Sequence, residues 1–592
     1  MKIKVSDFIT NFFVSKGINT AFVLTGGCIV HQIDSFAQHP EMNYIPMLHE
    51  QSAAMAADGY ARISGVPGLI AVTSGPGATN LLTGICCSYY DSIPIIAITG
   101  QVSSKALKGD IPTRQLGFQE TDVVSIFSAV TKYAVIVKNV SDIRFELEKS
   151  YSIATSGRKG PVVLDICEDV LFGYIDEADL LGYEPSKVEC ILPVRSNIIN
   201  EVLNCLKCSD RPVLVLGAGV RYAPNQLKYI KFLETLGIPV LLTWGAYDVI
   251  EHDHKLFAGG FGVTSGRSGN FVIQNADLIL AIGTRFDSHE IGSDPKKFAT
   301  KARRIVVDID EGEFVKFKQI DFIVDIPIIA SVDNFIDAFS GHFAELRLCD
   351  LTPWFKKIYE WKAKYPILSE NALSQSSLIN PYKFFHHLSA EVQGPVNIVT
   401  DCGSNLIWTM QGYFVRPMQR VISAFNHSPM GYSLPAAIGA ALACPQTQVI
   451  CIIGDGGFQI NVQELAIIAL HKLNIKIFVM NNHCHGIIQG TQDAWLHGRH
   501  HASDPVEGKL PDADVTKISL SYGIPAQDLN DISLLPAMLQ EIFSVYSPQL
   551  INVHMLRECQ IAPKLMYGRS IEDSHPLLSR EELEHNMTQD VK

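Results

Sequence analysis

Residues 449–486 constrain the fold of this chain more than any other stretch. Apolar, β-branched runs at 449–453 and 478–480 flank a segment, 462–473, whose apolar residues recur at helical spacing. The pattern predicts a strand, a glycine-rich turn, a helix and a second strand. A crossover helix makes the two strands parallel and brings their carboxyl ends together, at the edge where open α/β sheets bind ligands.

Metal-binding and phosphate-binding residues follow these two strands. Asp455 and Asn482 lie 27 positions apart in the sequence and offer the oxygen ligands that Mg²⁺ prefers, with phosphate or water completing its shell. Gly454, Gly456 and Gly457 allow backbone N–H groups to approach a phosphate. A Gly-Asp-Gly triplet alone is usually an ordinary turn. The strand–helix–strand frame favours a metal–diphosphate site, and the pattern resembles the binding motif of thiamine-diphosphate enzymes.

Composition and charge bear on the class of protein. A chain of 592 residues with 47% hydrophobic and 18% charged residues is typical of a globular protein of about three or four domains. The net charge of −13, without a basic cluster, does not favour nucleic-acid binding. No signal peptide or long apolar run is recognisable, and the 13 cysteines lack metal-ligand spacing. We expect a cytoplasmic protein with reduced thiols and no membrane or nucleic-acid partner.

Alternating strand and helix patterns predict an α/β protein with parallel sheets. The resemblance to thiamine-diphosphate enzymes implies their fold, three consecutive doubly wound parallel-sheet domains. The same resemblance implies an N-terminal pyrimidine-binding domain at 1–172, a central FAD-binding-like domain at 191–345 and a C-terminal diphosphate and metal-binding domain at 373–560. A polar tail at 561–592 is expected to wrap the surface or to reach the mouth of the active site.

Glu50 opens an alanine-rich helix directly after a predicted strand at 44–47. A glutamate in the first turn of a helix often does no more than complement the helix dipole. At a strand-to-helix junction it can also give a proton to a heterocycle. The residues around Glu50 leave both interpretations open.

Sequence blocks spread along the chain resemble the acetolactate synthase (acetohydroxyacid synthase) family. They occur in that family's order, up to about residue 560, and read LTGGCIVHQIDSF, LHEQSAAMAADGYAR, VTSGPGATN, ITGQV, GFQETDVV, NIVTDCGSN and VISAFNHSPMGYSLPAAIGAAL. The resemblance implies a thiamine-diphosphate-dependent carboligase that decarboxylates pyruvate and adds the two-carbon unit to a second carbonyl. It also implies Mg²⁺ and FAD as cofactors, and a homodimer or homotetramer whose active site lies between subunits.

The resemblance assigns roles in the N-terminal domain. It implies that Glu50 contacts the aminopyrimidine of the cofactor and that Gly27 lies beside the reacting carbon. Gln119 matches a residue near the substrate entrance. Asn80 and Gln101 match cofactor-binding positions.

The resemblance also assigns roles in the C-terminal domain. Ser404 and Asn405 match residues near the diphosphate. Met430 matches the apolar residue that holds the cofactor in its bent form, although by itself it would be read as core. A backbone carbonyl near Cys484 would join the two side chains named above as a metal ligand.

The central domain carries a weak dinucleotide signal, because a lone Gly217-Ala218-Gly219 after a strand is at least as often a structural turn. The resemblance implies FAD binding there, although some relatives keep the domain without a flavin. The matching positions are Thr243, Gly262, Arg285, Asp308 and Asp325.

Two positions depart from the family pattern. Glu168 stands where the family has a lysine at the substrate entrance, and Thr491 stands where it has a tryptophan that favours 2-ketobutyrate. We therefore expect an acceptor that is a non-standard ketone or keto-sugar. The alternatives are a thiamine-diphosphate-dependent 2-keto acid decarboxylase or diketone hydrolase, a nucleotide-binding oxidoreductase, and a non-catalytic relative.

Overall fold

Three six-stranded sheets follow one another along the chain. The computed structural model describes residues 2–185, 194–222, 226–368, 379–557 and 561–588. Every pair of neighbouring strands in the three sheets is parallel. The predicted fold class, three consecutive doubly wound parallel-sheet domains, is confirmed.

Numbered along the chain, the strands of the N-terminal and C-terminal sheets share the spatial order 2-1-3-4-6-5, whereas those of the central sheet have the order 3-2-1-4-5-6. In spatial order, the N-terminal sheet consists of Asn43–Pro46, Thr20–Leu24, Gly68–Val72, Ile95–Gln101, Val162–Cys167 and Tyr133–Val137. The central sheet consists of Phe257–Gly260, Val240–Leu242, Pro212–Leu216, Leu278–Ile282, Arg303–Asp308 and Ile326–Ile329. The C-terminal sheet consists of Gln419–Ile422, Val396–Thr400, Gln448–Gly454, Ile475–Asn481, Gln549–His554 and Ala526–Leu529.

Helices cover both faces of these sheets, which is why the central strands are continuous apolar runs. The helices of the N-terminal part are Val5–Ser15, Val30–Gln38, Glu50–Ser64, Pro76–Asn80, Leu82–Asp91, Val123–Phe127, Ile143–Thr155 and Glu168–Leu171. Those of the central part are Ser196–Lys207, Gln226–Leu236, Arg267–Asn275, Ser288–Ile291, Glu311–Gln319, Val332–Ser340 and Thr352–Lys364. Those of the C-terminal part are Pro381–Glu391, Ser404–Gly412, Ser433–Ala443, Asp455–Ile460, Leu465–His471, Gly486–Leu496, Val515–Ser521, Leu535–Ser544 and Arg580–Thr588.

The predicted glycine-rich turn at 454–457 is instead the start of a helix. The strand ends at Gly454, and the helix Asp455–Ile460 follows without an intervening turn. The acidic Asp455 lies in the first turn of that helix, where a negative charge is favourable. The helix predicted at 462–473 is also shorter, because it ends at His471 before the left-handed Lys472.

The N-terminal and C-terminal domains pack tightly through two helices, Glu50–Ser64 and Ser433–Ala443. A methyl group on Gly59 would lie 2.2 Å from the carbonyl oxygen of Ala436. A methyl group on Gly439 would lie 1.9 Å from that of Ala56. Two opposed glycines therefore set the distance between these domains.

The polar tail contacts the central domain. Asn270 Nδ2 donates to the carbonyl of Ile571 at 2.8 Å, and Trp361 Nε1 donates to Asn586 Oδ1 at 2.9 Å. The short strands Lys564–Leu565 and Ser574–His575 pair antiparallel. The strand Tyr174–Asp176 pairs with Lys2–Lys4 and so extends the N-terminal unit past residue 172. The predicted boundaries at 191, 373 and 560 lie outside the described residues and stay predictions.

No helix in the described ranges is long and apolar enough to cross a membrane.

Candidate active site

Glu50 is buried at the start of its helix, with one carboxylate oxygen engaged. Its side chain is 7% exposed, and Asn80 Nδ2 donates to Glu50 Oε2 at 2.9 Å. The other oxygen, Oε1, lies 3.7 Å from the position of a methyl group on Gly77. The fold thus brings Glu50 and Asn80 together, although they are far apart in the sequence. Asn80 binds only one of the two carboxylate oxygens of Glu50.

Gly27 lies close to the carboxylate of Glu168. It begins the short 3₁₀ turn Gly27–Ile29, and a methyl group placed on it would meet no atom within 4 Å. The hydroxyl of Ser74 donates to Cys28 Sγ at 3.4 Å, and the carboxylate of Glu168 lies near the Cys28 thiol. Burial raises the pKa of this thiol. Glu168 therefore lies next to the residue that follows Gly27.

Gln119 and Gln101 have different surroundings. Gln119 has a positive φ of 64°, and its Cβ lies 3.0 Å from the position of a methyl group on Gly75, so it adjoins the turn before Asn80. Gln101 Nε2 donates to the carbonyl of Thr121 and to Asp165 Oδ2, both at 2.8 Å. Both N–H bonds of Gln101 are thus used inside the chain, and its cofactor-binding role stays a prediction.

In the C-terminal domain, the predicted diphosphate residues meet at the carboxyl ends of three strands. Ser404 and Asn405 open the helix Ser404–Gly412. A methyl group on Gly454 would lie 3.1 Å from Asn405 Oδ1, and one on Gly486 would lie 2.6 Å from Asn482 Nδ2 and 3.7 Å from Ser404 Oγ. Polar side chains are therefore closely packed at this edge of the sheet.

Two glycines after Asp455 leave space that any side chain would fill. A methyl group on Gly456 would lie 2.8 Å from His485 Nε2 and 3.0 Å from Met430 Cε. A methyl group on Gly457 would lie 2.1 Å from Asp401 Oδ2. Met430, predicted to support the cofactor, is 37% exposed beside this backbone. The arrangement fits a phosphate group held by bare backbone.

The predicted metal ligands are placed at this same edge. Asp455 is the residue directly after the strand, and burial raises its pKa to about 6. Asn482 and Cys484 are buried in the loop after the next strand. Side chains of the described residues form no cluster of three or more His, Cys, Asp or Glu that would hold a metal by themselves. The donor set, one carboxylate and one amide oxygen with backbone carbonyls nearby, suits Mg²⁺ only if a ligand supplies further oxygens.

Asp401 is a site residue that the sequence analysis missed. It is 1% exposed, and it accepts hydrogen bonds from the backbone N–H groups of Gly431 (2.9 Å) and Ser433 (3.2 Å). Burial raises the pKa of Asp401 to about 7. It thereby holds the loop that carries Met430. An acidic residue directly after the buried strand Val396–Thr400 was the available signal.

Among the described residues, no hydrogen bond or ion pair connects Glu50 or Asn80 to Asp455 or Asn482. Neighbouring residues do connect the two domains, because Ser52 Oγ donates to Asn461 Oδ1 at 3.0 Å.

A large cavity of about 1090 Å³ lies between the central domain and the two others. Three of the five predicted flavin residues, Thr243, Arg285 and Asp308, line it, whereas Gly262 and Asp325 do not. Asp325 instead accepts from the backbone N–H of Arg304 at 2.7 Å.

The cavity opens where the strand order of the central sheet reverses, between Pro212–Leu216 and Leu278–Ile282. Ligands of open α/β sheets bind at such a point. A methyl group on Gly217 would lie 2.1 Å from the carbonyl oxygen of Gly283, so the two loops approach closely there.

Comparison with known sequences identifies the family. Three profiles of thiamine pyrophosphate enzymes match in order: the N-terminal TPP binding domain at residues 3–126, the central domain at 199–339 and the C-terminal TPP binding domain at 401–553. The acetolactate synthase isozyme 1 large subunit of Escherichia coli (strain K12) is 32% identical, over 95% of this chain and 96% of that protein. The chain belongs to the acetolactate synthase large-subunit family. The resemblance to this family that the sequence indicated is confirmed.

Further members of this family match with similar coverage. The acetolactate synthase large subunit of Haemophilus influenzae is 30% identical over 99% of this chain and all of that protein. The large subunit of Lactococcus lactis is 31% identical over 95% of this chain and 94% of that protein. The Glu50 and Asp455 clusters lie in the two domains that match thiamine pyrophosphate binding domains, so thiamine diphosphate is the cofactor of this chain.

Proposed function

We propose that this chain is a thiamine-diphosphate-dependent carboligase that decarboxylates pyruvate and adds the two-carbon unit to a second carbonyl compound. The observation that carries the proposal is the pair of polar clusters, one around Glu50 and one around Asp455, in a chain 32% identical to an acetolactate synthase large subunit. When bound, thiamine diphosphate supplies the electron sink that allows a 2-keto acid to lose CO₂.

The residues of the chain would bind and orient this cofactor. Glu50 Oε1 would hold a proton at a nitrogen of the pyrimidine ring, because Asn80 already occupies Oε2. Met430, exposed beside Gly456, would give the cofactor an apolar support. Five residues would hold the diphosphate: Ser404, Asn405, Gly454, Gly456 and Gly457.

Mg²⁺ would be bound by Asp455, Asn482 and the backbone carbonyl of Cys484, together with oxygens of the diphosphate. The support for this proposal is the placement of a carboxylate and an amide at the ends of adjacent strands. Because the chain supplies few ligands by itself, we expect the metal and the diphosphate to bind together.

FAD would occupy the central cavity. A volume of about 1090 Å³ matches the upper range of small-molecule sites, and the cavity lies at the strand-order reversal where dinucleotides bind. Thr243, Arg285 and Asp308 line it. The net reaction is not a redox reaction, so the flavin would have a structural role. Purified protein should be yellow, whereas colourless protein that gains no thermal stability from added FAD would contradict this assignment.

The active unit would be a homodimer, with two dimers forming a tetramer. The proposal rests on the family resemblance, which implies that the residues matching Glu50 and the diphosphate site belong to different subunits. In a dimer, the Glu50 cluster of one chain would face the Asp455 cluster of the other. We also propose a cytoplasmic location, where cysteines without metal-ligand spacing would stay reduced.

Incubation with pyruvate, thiamine diphosphate and Mg²⁺, followed by mass analysis of the products, tests the proposed reaction. We expect a ligated product formed from two carbonyl compounds and CO₂. Release of acetaldehyde alone would instead favour the decarboxylase alternative. The Glu50→Gln chain serves as the matched control, because it should bind the cofactor and form little product.

A further inference from the structure

Lys159 differs from the other cationic side chains of the central cavity. Six such side chains line it: Arg62, Arg158, Lys159, Arg221, Arg285 and Arg420. The five arginines all pair with a carboxylate of the chain. Arg62 pairs with Asp91 at 2.8 Å, Arg158 with Asp310 at 2.7 Å, Arg285 with Glu313 at 3.1 Å and Arg420 with Asp248 at 3.2 Å, and Arg221 also pairs with Asp248.

No carboxylate partner of Lys159 is recorded among the described residues. Its recorded contact is with the ring of Tyr222, whose centroid lies 5.0 Å from Lys159 Nζ. Burial lowers the pKa of this ammonium group, because its charged form loses water without gaining a negative partner. A ligand that brings an anionic group would supply that partner.

The position of Lys159 suits such a group. Tyr222 ends the 3₁₀ segment Ala218–Tyr222, which follows the strand Pro212–Leu216 at the reversal of the strand order. A methyl group on Gly219, within this segment, would lie 2.8 Å from Gly283 Cα. The diphosphate of a dinucleotide characteristically lies against such a glycine-containing segment.

The other charged residues that line the cavity favour an incoming anion less than Lys159 does. Five acidic residues also line the cavity: Asp91, Asp287, Glu290, Asp308 and Asp333. The arginine charges are matched by carboxylates, so they offer less to an incoming anion than an ammonium that has no carboxylate beside it.

We propose that Lys159 binds the diphosphate of the dinucleotide that occupies the central cavity. This inference rests on the proposed binding of FAD in that cavity. Lys159 would then attract the negative charge of the diphosphate, while the flavin ring of the ligand binds elsewhere in the cavity.

The test compares Lys159→Met, Lys159→Arg and Lys231→Met with the unaltered full-length chain. Lys231 is an exposed lysine on the helix Gln226–Leu236 and does not line the cavity, so its variant controls for the loss of one positive charge. Three ligands are compared. FAD contains both a flavin and a diphosphate, ADP-ribose contains the diphosphate without the flavin, and riboflavin contains the flavin without phosphate. Equilibrium dissociation constants are measured for each at low and high salt.

We expect Lys159→Met to weaken FAD and ADP-ribose binding by about 10- to 100-fold, the usual effect of losing one hydrogen bond between charged groups. Riboflavin binding should stay unchanged, and Lys159→Arg should retain most of the FAD affinity. The salt dependence of FAD binding should be smaller in Lys159→Met than in the unaltered chain.

Two results would overturn the proposal while leaving FAD binding intact. One is a Lys159→Met chain that binds FAD as tightly as Lys231→Met, and the other is an equal loss of affinity for riboflavin, which would indicate a structural defect. If the unaltered chain binds neither FAD nor ADP-ribose, the proposed flavin function itself fails. Thermal stabilisation by thiamine diphosphate and Mg²⁺ verifies that each variant is folded.

Discussion

Asn80 determines which oxygen of Glu50 can act on a ligand. It holds Oε2 at 2.9 Å, so proton transfer would use Oε1. Glu50→Gln preserves the size of the side chain but removes its transferable proton. We expect the rate of proton exchange at C2 of the bound cofactor to fall by about 10²- to 10⁴-fold, with cofactor affinity nearly unchanged. Exchange is measured by NMR in deuterated buffer.

The Asn80→Asp chain provides a second measurement of the same contact. Two carboxylates would then compete for one proton, and proton exchange should change although Glu50 is still present. A Glu50→Gln chain that exchanges the C2 proton at the normal rate would remove Glu50 from the mechanism.

Asp455 is the one acidic side chain in the Gly454–Gly457 segment, and Asp455→Ala should therefore abolish Mg²⁺-dependent cofactor binding. The measurement is the thermal shift produced by thiamine diphosphate with Mg²⁺. Asp512→Ala is the matched control, because Asp512 is a partly exposed carboxylate that pairs with His483 at 3.0 Å in the same region. A full shift in the Asp455→Ala chain would place the metal elsewhere.

At the scale of structural elements, Asp401 connects two loops of the C-terminal domain. It accepts from Gly431 and Ser433 on the loop of Met430, and its Oδ2 packs against Gly457. An asparagine side chain has only one acceptor oxygen, so Asp401→Asn leaves one buried N–H without a partner, at a cost of about 1–3 kcal/mol. We expect C2 proton exchange to slow at least tenfold in this variant, while cofactor binding weakens less.

The control for this change is Asp531→Asn, because Asp531 is exposed and accepts from the backbone of Ser533 at 2.9 Å in the same domain. Equal exchange rates in the two variants would show that the loop of Met430 does not depend on Asp401. A parallel loss of cofactor affinity and exchange rate would assign Asp401 to binding instead.

Local sequence patterns predicted the sheets but not the contacts between them. The apolar run at 449–453 lies within the strand Gln448–Gly454. The apolar sequence alone was enough to predict that this strand is buried. The helix that starts at Asp455 was not predicted, because adjacent glycines favour turns. In the structure these glycines pack against Asp401, His485 and Met430, which lie far away in the sequence.

Partners distant in the sequence explain the remaining differences. Ser52 and Asn461 lie 409 positions apart, and no local pattern indicates their hydrogen bond. Likewise, the bond from Gln101 to Asp165 occupies a side chain that the family resemblance assigned to a cofactor. The resemblance identified the types of residue at the site, whereas their hydrogen-bond partners required the structure.

At the scale of the whole molecule, the two polar clusters make a prediction about mixed dimers. If each site joins Glu50 of one chain to Asp455 of the other, a dimer of one Glu50→Gln chain and one Asp455→Ala chain has one intact site and one doubly altered site. We expect such dimers, purified with two different tags, to show about half of the normal activity. A dimer of two Glu50→Gln chains with the same tags is the control. Mixed dimers as inactive as this control would indicate that each site lies within one chain.

Two residues, one in the N-terminal domain and one in the C-terminal domain, underlie the prediction about the acceptor. Glu168 adjoins Cys28 in the N-terminal domain, and Thr491 lies exposed on the helix Gly486–Leu496 in the C-terminal domain, with its hydroxyl donating to Ile487 at 3.3 Å. A negatively charged acceptor approaching Glu168 meets like charge, which disfavours it by about 1 kcal/mol or more at low salt. A threonine at 491 also leaves more room than a tryptophan would.

We therefore predict that the unaltered enzyme, given pyruvate, 2-ketobutyrate and a panel of neutral and sugar ketones together, ligates a ketone other than 2-ketobutyrate. Glu168→Lys should raise the share of the 2-ketobutyrate product by about fivefold or more, which corresponds to removing about 1 kcal/mol of repulsion. Glu168→Gln separates loss of the negative charge from gain of a positive one and should give a smaller increase. Products are quantified by mass spectrometry after short incubations. Dominant formation of acetohydroxybutyrate by the unaltered enzyme would contradict the prediction, and acetolactate as the sole product would leave the ordinary synthase reaction, with Glu168 in another role.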